Sequence, residues 1–145
     1  ARLTSGPWSG ISVTEPQRAR LASFAADLRQ YGRAGDRLLV YPQGAAPYLY
    51  WPGEIAANTY QMYASGRDAP LPKAAISYYR RHGEVPTLVL RLGDTGGKGR
   101  AELIAGSGGL AYPPVVVRAD YAVHRKPPGD AVRDVLARLP KLQAP

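Results

Sequence analysis

The chain has 145 residues, enough for one domain with a sizeable core, and no cysteine, which excludes a disulfide framework and a thiolate metal site. It is basic, with a formal net charge of +8, and Arg supplies most of its 19 cations. That charge suits nucleic acid, an anionic membrane surface or phosphate-bearing ligands, but the cations are scattered from Arg2 to Lys141, and only Arg80-Arg81 and Arg125-Lys126 are adjacent. No apolar run approaches the ~18–20 residues of a membrane span, and the N-terminus lacks the apolar core of a signal peptide. The opening on Ala1 in place of Met reads as a piece of a longer protein, although removal of an initiator Met leaves the same start.

Residues 1–13 are expected as an extended lead-in, broken by Gly6-Pro7 and Gly10. Thr14 then reads as a helix N-cap, with Gln17 completing a capping box and Pro16 tolerated in the first turn. Leu21, Phe24, Ala25, Leu28 and Tyr31 share one face of that helix, and Gly32 is placed to end it. Gly35-Asp36 is a turn. Arg37 to Tyr41 is a buried strand that stops at Pro42.

Over 45–65 the spacing allows a short helix after Pro47, then a strand or second short helix near 55–62. Leu71 to Arg81 is predicted helical, with Pro72 in its first turn, Gly83 at its end and Leu71, Ala75, Ile76, Tyr78 and Tyr79 on its apolar face. Thr87 to Leu90 is a second buried strand, followed by a Gly-rich loop over 93–99 and a short helix near 100–105. Val115–Val117 and Tyr121–Val123 form an antiparallel hairpin, and Asp130 to Leu139 an amphipathic helix. The pattern predicts a single α/β domain over 1–145: a small mixed sheet flanked by helices, closed by a C-terminal antiparallel hairpin and a terminal helix.

No catalytic constellation stands out. The Gly-rich loop fails as a phosphate-binding P-loop, because position 92 is Leu where Gly is needed and position 99 is Gly where a hydroxyl is needed. The chain is therefore not expected to bind ATP or GTP; a weaker anion nest with Lys98 stays open. His82 and His124 have no metal-ligand spacing, so neither a metal nor a cofactor is expected. His82 reads as a C-terminal helix cation, and His124 as solvent-facing or at a sheet edge. No Ser lies in a nucleophile motif, and the acidic residues fall largely in turns.

Ten Tyr and two Trp stand against a single Phe. Tyr and Trp suit half-wet surfaces such as sugar platforms and membrane interfaces. The competing reading packs these rings in the core, and it is the stronger one for Tyr78 and Tyr79. The candidate binding patch is Tyr41, Tyr48, Tyr50 and Trp51, expected to border one cleft at the C-terminal end of the 37–41 strand, where open α/β sheets hold ligands. Arg67, Arg91 and Lys98 are its candidate phosphate contacts.

Several segments together resemble a family. Gly6-Pro7-Trp8-Ser9-Gly10-Ile11, the helix after it, Gly35 to Pro42, Pro47 to Trp51, Pro86 to Leu90 and Tyr121 to Arg125 occur in an order similar to the extracytoplasmic C-terminal domain of polytopic membrane glycosyltransferases. These are of the protein mannosyltransferase and aminoarabinose-transferase type, which use polyprenyl-phosphate-linked sugars. The resemblance implies a non-catalytic domain on the extracytoplasmic face, attached through upstream membrane helices that the chain does not contain. Implied partners are those helices, a lipid-linked sugar or glycan acceptor, and an anionic membrane surface. The family's catalytic carboxylate lies between membrane helices, so the resemblance carries over no catalytic residue. A free-standing sugar-binding or enzymatic α/β domain is the alternative. A basic nucleic-acid-binding module comes third, since the scattered cations and lack of a recognition motif argue against it.

Overall fold

A computed structural model describes residues 2–3, 10–41, 47, 50–56, 73–93, 110 and 112–139. Helix α1 spans Glu15–Tyr31. Its start is the capping box read from the sequence: the Thr14 hydroxyl accepts the Gln17 N–H at 3.3 Å, and the Gln17 side-chain oxygen accepts the Thr14 N–H at 2.9 Å. Two otherwise orphaned donors are satisfied reciprocally. Thr14→Ala is expected to cost about 1 kcal/mol in chemical denaturation; an unchanged midpoint would show the cap to be idle.

Strand β1 is Arg37–Tyr41, β2 is Glu54–Ile55, β3 is Leu88–Leu92, β4 is Pro114–Val117 and β5 is Tyr121–Arg125. They form one five-stranded sheet in the order β2-β1-β3-β5-β4. The first three are parallel, and β5 runs antiparallel to both its neighbours. Helix α2 is Lys73–His82 and helix α3 is Val132–Arg138. The fold is α/β with a mixed sheet, a C-terminal hairpin and a terminal helix, as the pattern predicts.

Period-two alternation sorts the strands into two cores. Leu38, Val40, Leu88, Leu90, Tyr121 and Val123 face Phe24 and Leu28 of α1. Leu39, Tyr41 and Val89 face the other way, onto Ala75, Ile76 and Tyr79 of α2 and Val135 by α3. Helices therefore cover both faces, which is why β1 and β3 read as continuous apolar runs. The α1 side is also pinned by charge. Asp27 is buried on α1, where its carboxylate takes both Nε and an Nη of Arg118 at 3.0 and 2.8 Å. It also accepts the Tyr121 hydroxyl, which in turn meets Ser23. These contacts, with Arg20 to Asp120 at 3.1 Å, tie the β4–β5 turn to α1.

Helix α2 ends at Gly83, whose φ of +60° permits the Glu84 N–H to reach back to the Tyr79 carbonyl at 3.1 Å. This is the glycine-dependent C-terminal cap. Of the expected apolar face, Ala75, Ile76 and Tyr79 are buried and Tyr78 is half-buried, while Leu71 lies outside the described residues. Helix α3 starts later than expected. Asp130 spends its carbonyl on Lys126 at 2.7 Å and its carboxylate on Arg138 at 3.1 Å, so no side-chain cap forms at Ala131.

His124 corrects the sequence reading. It is fully buried, because β5 lies inside the sheet between β3 and β4 and not at an edge. Its Nδ1 donates to the Tyr112 carbonyl at 2.9 Å. Burial and the Arg91 charge hold its pKa below the ordinary value, against the raising effect of the Tyr112 bond. Apart from Pro47, Tyr50 and the short β2, the elements expected over 45–65 lie outside the described residues, as do the Gly-rich loop beyond Gly93 and the helix near 100–105.

Candidate functional site

The site is built from the turn between α1 and β1. Asp36 closes that turn: its carboxylate accepts the Arg33 N–H at 2.7 Å, and its own N–H reaches the Arg33 carbonyl at 3.0 Å. The same carboxylate accepts Thr87 Oγ1 at 2.9 Å and a two-pronged bond from Arg125 at 3.0 and 2.9 Å. Arg125 also donates to the Tyr31 carbonyl at the end of α1. The ion pair is largely buried, with side chains 14% and 8% exposed. Burial alone pushes the Asp36 carboxyl up, the largest single effect, but the bonds from Arg125, Arg33 and Thr87 together outweigh it and hold the pKa below the ordinary carboxylate value. The end of α1, the start of β3 and the end of β5 are thus locked to one carboxylate.

Against this lock sits the segment that leads into β2. Because β2 is parallel to β1 and pairs Glu54 with Arg37, the chain returns to the N-terminal end of β1 before β2 begins. Trp51 therefore lies beside the C-terminus of α1. Its indole N–H donates to the Glu54 carbonyl at 3.0 Å, and its ring presses on the Cα of Gly32. Gly32 ends α1 in an extended conformation, φ −76° and ψ 151°, which any residue adopts. What demands glycine is the close approach: a Cβ there would stand 2.3 Å from Trp51 Cζ3.

Between these parts opens a cleft of about 830 Å³ lined by Ala25, Leu28, Arg29, Gly32, Arg33, Tyr50 and Trp51, with the turn residues around them. Its walls are apolar, and its charge comes from two guanidinium groups. Neither Arg29 nor Arg33 makes a side-chain ion pair among the described residues, whereas Arg18 and Arg20 do. Arg29 also stands in the last turn of α1, where a cation meets the negative end of the helix dipole.

The sequence-predicted residues divide. Tyr50 and Trp51 line the cleft and pack against the α1-side core. Tyr41 is separated from them: it is fully buried in the core on the opposite face of the sheet. Arg91 is also fully buried there, its guanidinium 5.1 Å from the Tyr41 ring centre, and it does not border the cleft. Tyr48, Arg67 and Lys98 lie outside the described residues. Arg29 and Arg33, the cations the cleft does present, each read in the sequence as an ordinary solvated residue. Their spacing of four next to the terminating glycine was the available signal.

Among the described residues no group of three His, Asp or Glu is placed to hold a metal ion, and no helix is long and apolar enough to cross a membrane. No protein-family model, curated protein or solved structure matches the chain.

Proposed function

We propose that the chain is a non-catalytic binding domain of a membrane glycosyltransferase. In this reading it sits on the extracytoplasmic face, and its cleft takes an anionic sugar such as the sugar-phosphate portion of a lipid-linked donor. The observation that supports binding is the pairing in one cleft of the Tyr50 and Trp51 rings with two guanidiniums free of carboxylate partners among the described residues. Aromatic rings offer flat apolar faces to a sugar ring, and unpaired guanidinium forks suit phosphate oxygens. The membrane attachment and the parent enzyme rest on the sequence resemblance.

Titration with glucose 1-phosphate, followed by amide and indole shifts, tests the cleft. Saturable shifts at Trp51 and over 29–33 are expected, weakened about tenfold by Arg29→Ala or Arg33→Ala. Both side chains are exposed, so these variants are expected to stay folded. Absence of any shift, or shifts indifferent to both substitutions, would refute the assignment. Sugar transfer from a lipid-phosphate donor by the purified chain would overturn the non-catalytic reading.

A further inference from the structure

We infer that the cleft and a hollow beside it form one groove along α1 that takes an acidic oligosaccharide, a ligand whose negative groups are spaced along its sugar rings. The inference rests on the anion-binding reading of the cleft and names the ligand class that the whole groove fits.

Arg18, Ala22, Ala25 and Arg29 stand at i, i+4, i+7 and i+11, so they share one stripe of α1. The two alanines end at Cβ, and the long arginines flank them along the helix. This stripe floors a hollow of about 210 Å³, which Leu3, Leu21 and Tyr50 complete. Its walls are more polar than those of the cleft. The two hollows share Ala25, Arg29 and Tyr50, so they join edge to edge. The cleft alone, at about 830 Å³, lies toward the upper end of the roughly 300–1,000 Å³ of sites for drug-sized ligands, which leaves room for more than one sugar ring.

The cations of this groove are spread along its length rather than gathered at one point. From Arg18 to Arg29 the helix rises about 16 Å at roughly 1.5 Å per residue, and Arg33 continues the series past the helix end. A ligand with a single phosphate meets one end of that series. A chain of rings that each bear a carboxylate meets both ends at once. Arg29 and Arg33 have no carboxylate partner among the described residues. Arg18 does: its Nε donates to the Glu15 carboxylate at 2.9 and 3.0 Å. Both side chains of that pair are exposed, so it contributes little and an arriving carboxylate displaces Glu15 at small cost. Tyr50 borders both hollows and offers a sugar ring an apolar face where it passes from one to the other.

Hexagalacturonate is the probe, titrated against galacturonic acid, maltohexaose, glucose 1-phosphate and an oligothymidylate of similar charge. It is expected to bind at least tenfold tighter than galacturonic acid, to weaken as salt is added, and to shift amides over 18–22 as well as 29–33. Arg18→Ala is expected to weaken it about fivefold. Glu15→Gln is expected to tighten it, because that change frees Arg18 and removes a repelling carboxylate, which a merely structural role for the pair would not do. Both substitutions fall on exposed residues and should leave glucose 1-phosphate binding unchanged; thermal melting checks the fold. Equal affinity for the hexamer and the monomer, or no response to either substitution, would overturn the groove while leaving the cleft assignment standing. Equal binding of maltohexaose would refute the acidic class, and equal binding of the oligothymidylate would replace the sugar with a non-selective polyanion surface. Hexagalacturonate binding without glucose 1-phosphate binding would sustain the groove and sink the sugar-phosphate reading.

Discussion

Asp36→Ala is expected to lower the unfolding free energy by about 3 kcal/mol, the size seen when one partner of a buried ion pair is removed. The loss is large because the carboxylate serves four donors, from Arg125, Arg33 and Thr87. Deleting it leaves the Arg125 guanidinium, only 14% exposed, without its countercharge. By contrast, breaking the exposed pair of Arg37 and Glu54 is expected to cost less than about 1 kcal/mol.

The pH dependence has a definite sign. Asp36 and Asp27 both have folded-state pKa values below the ordinary one. For Asp27 the Arg118 bond is the main cause, opposed by burial and helped by Tyr121. A carboxyl so depressed contributes stability that is fully present above its unfolded value of about 4 and is lost as pH falls through the lower folded value. The deficit of Asp36→Asn relative to the parent chain should therefore shrink between pH 7 and pH 3. Denaturant midpoints at the two pH values check this, and an equal deficit at both would show that the ionised carboxylate is not the source.

Gly32→Ala is the second large expected effect, a loss of about 1–3 kcal/mol from overpacking. The added methyl would meet Trp51 Cζ3 at 2.3 Å and the Leu28 carbonyl oxygen at 2.5 Å. Since Gly32 and Trp51 both line the cleft, the substitution should also weaken glucose 1-phosphate binding. The Trp51 share of the cost is separable. In a Trp51→Ala background Gly32→Ala should cost less, leaving the Leu28 contact as the remainder, so the two substitutions couple rather than add. Strict additivity in denaturation would show that the indole does not constrain this glycine.

Local signals account for most of the fold. Thr14 and Gln17 announce the start of α1, since a capping box needs only residues three apart, and Gly83 announces the end of α2 through a backbone angle that other residues avoid. The apolar runs at 37–41 and 87–90 mark strands buried on both faces, and the spacing of 115–123 marks a hairpin. Each is a short-range property, so the sequence alone determined it. The site depended on long-range geometry. Trp51 reaches the N-terminal end of β1 only because β2 pairs in parallel, and nothing local states that register. Tyr41 and Trp51, close in sequence, are sent to opposite faces of the sheet. His124 reads in the sequence as solvent-facing or at a sheet edge, yet it is buried because β5 inserts between β3 and β4. Asp36 and Arg125, far apart in the chain, become one buried ion pair only when β1, β3 and β5 assemble. The tertiary structure alone decided these placements, because strand order and register are set by the packing of the whole sheet between its helices rather than by any residue and its neighbours in the chain.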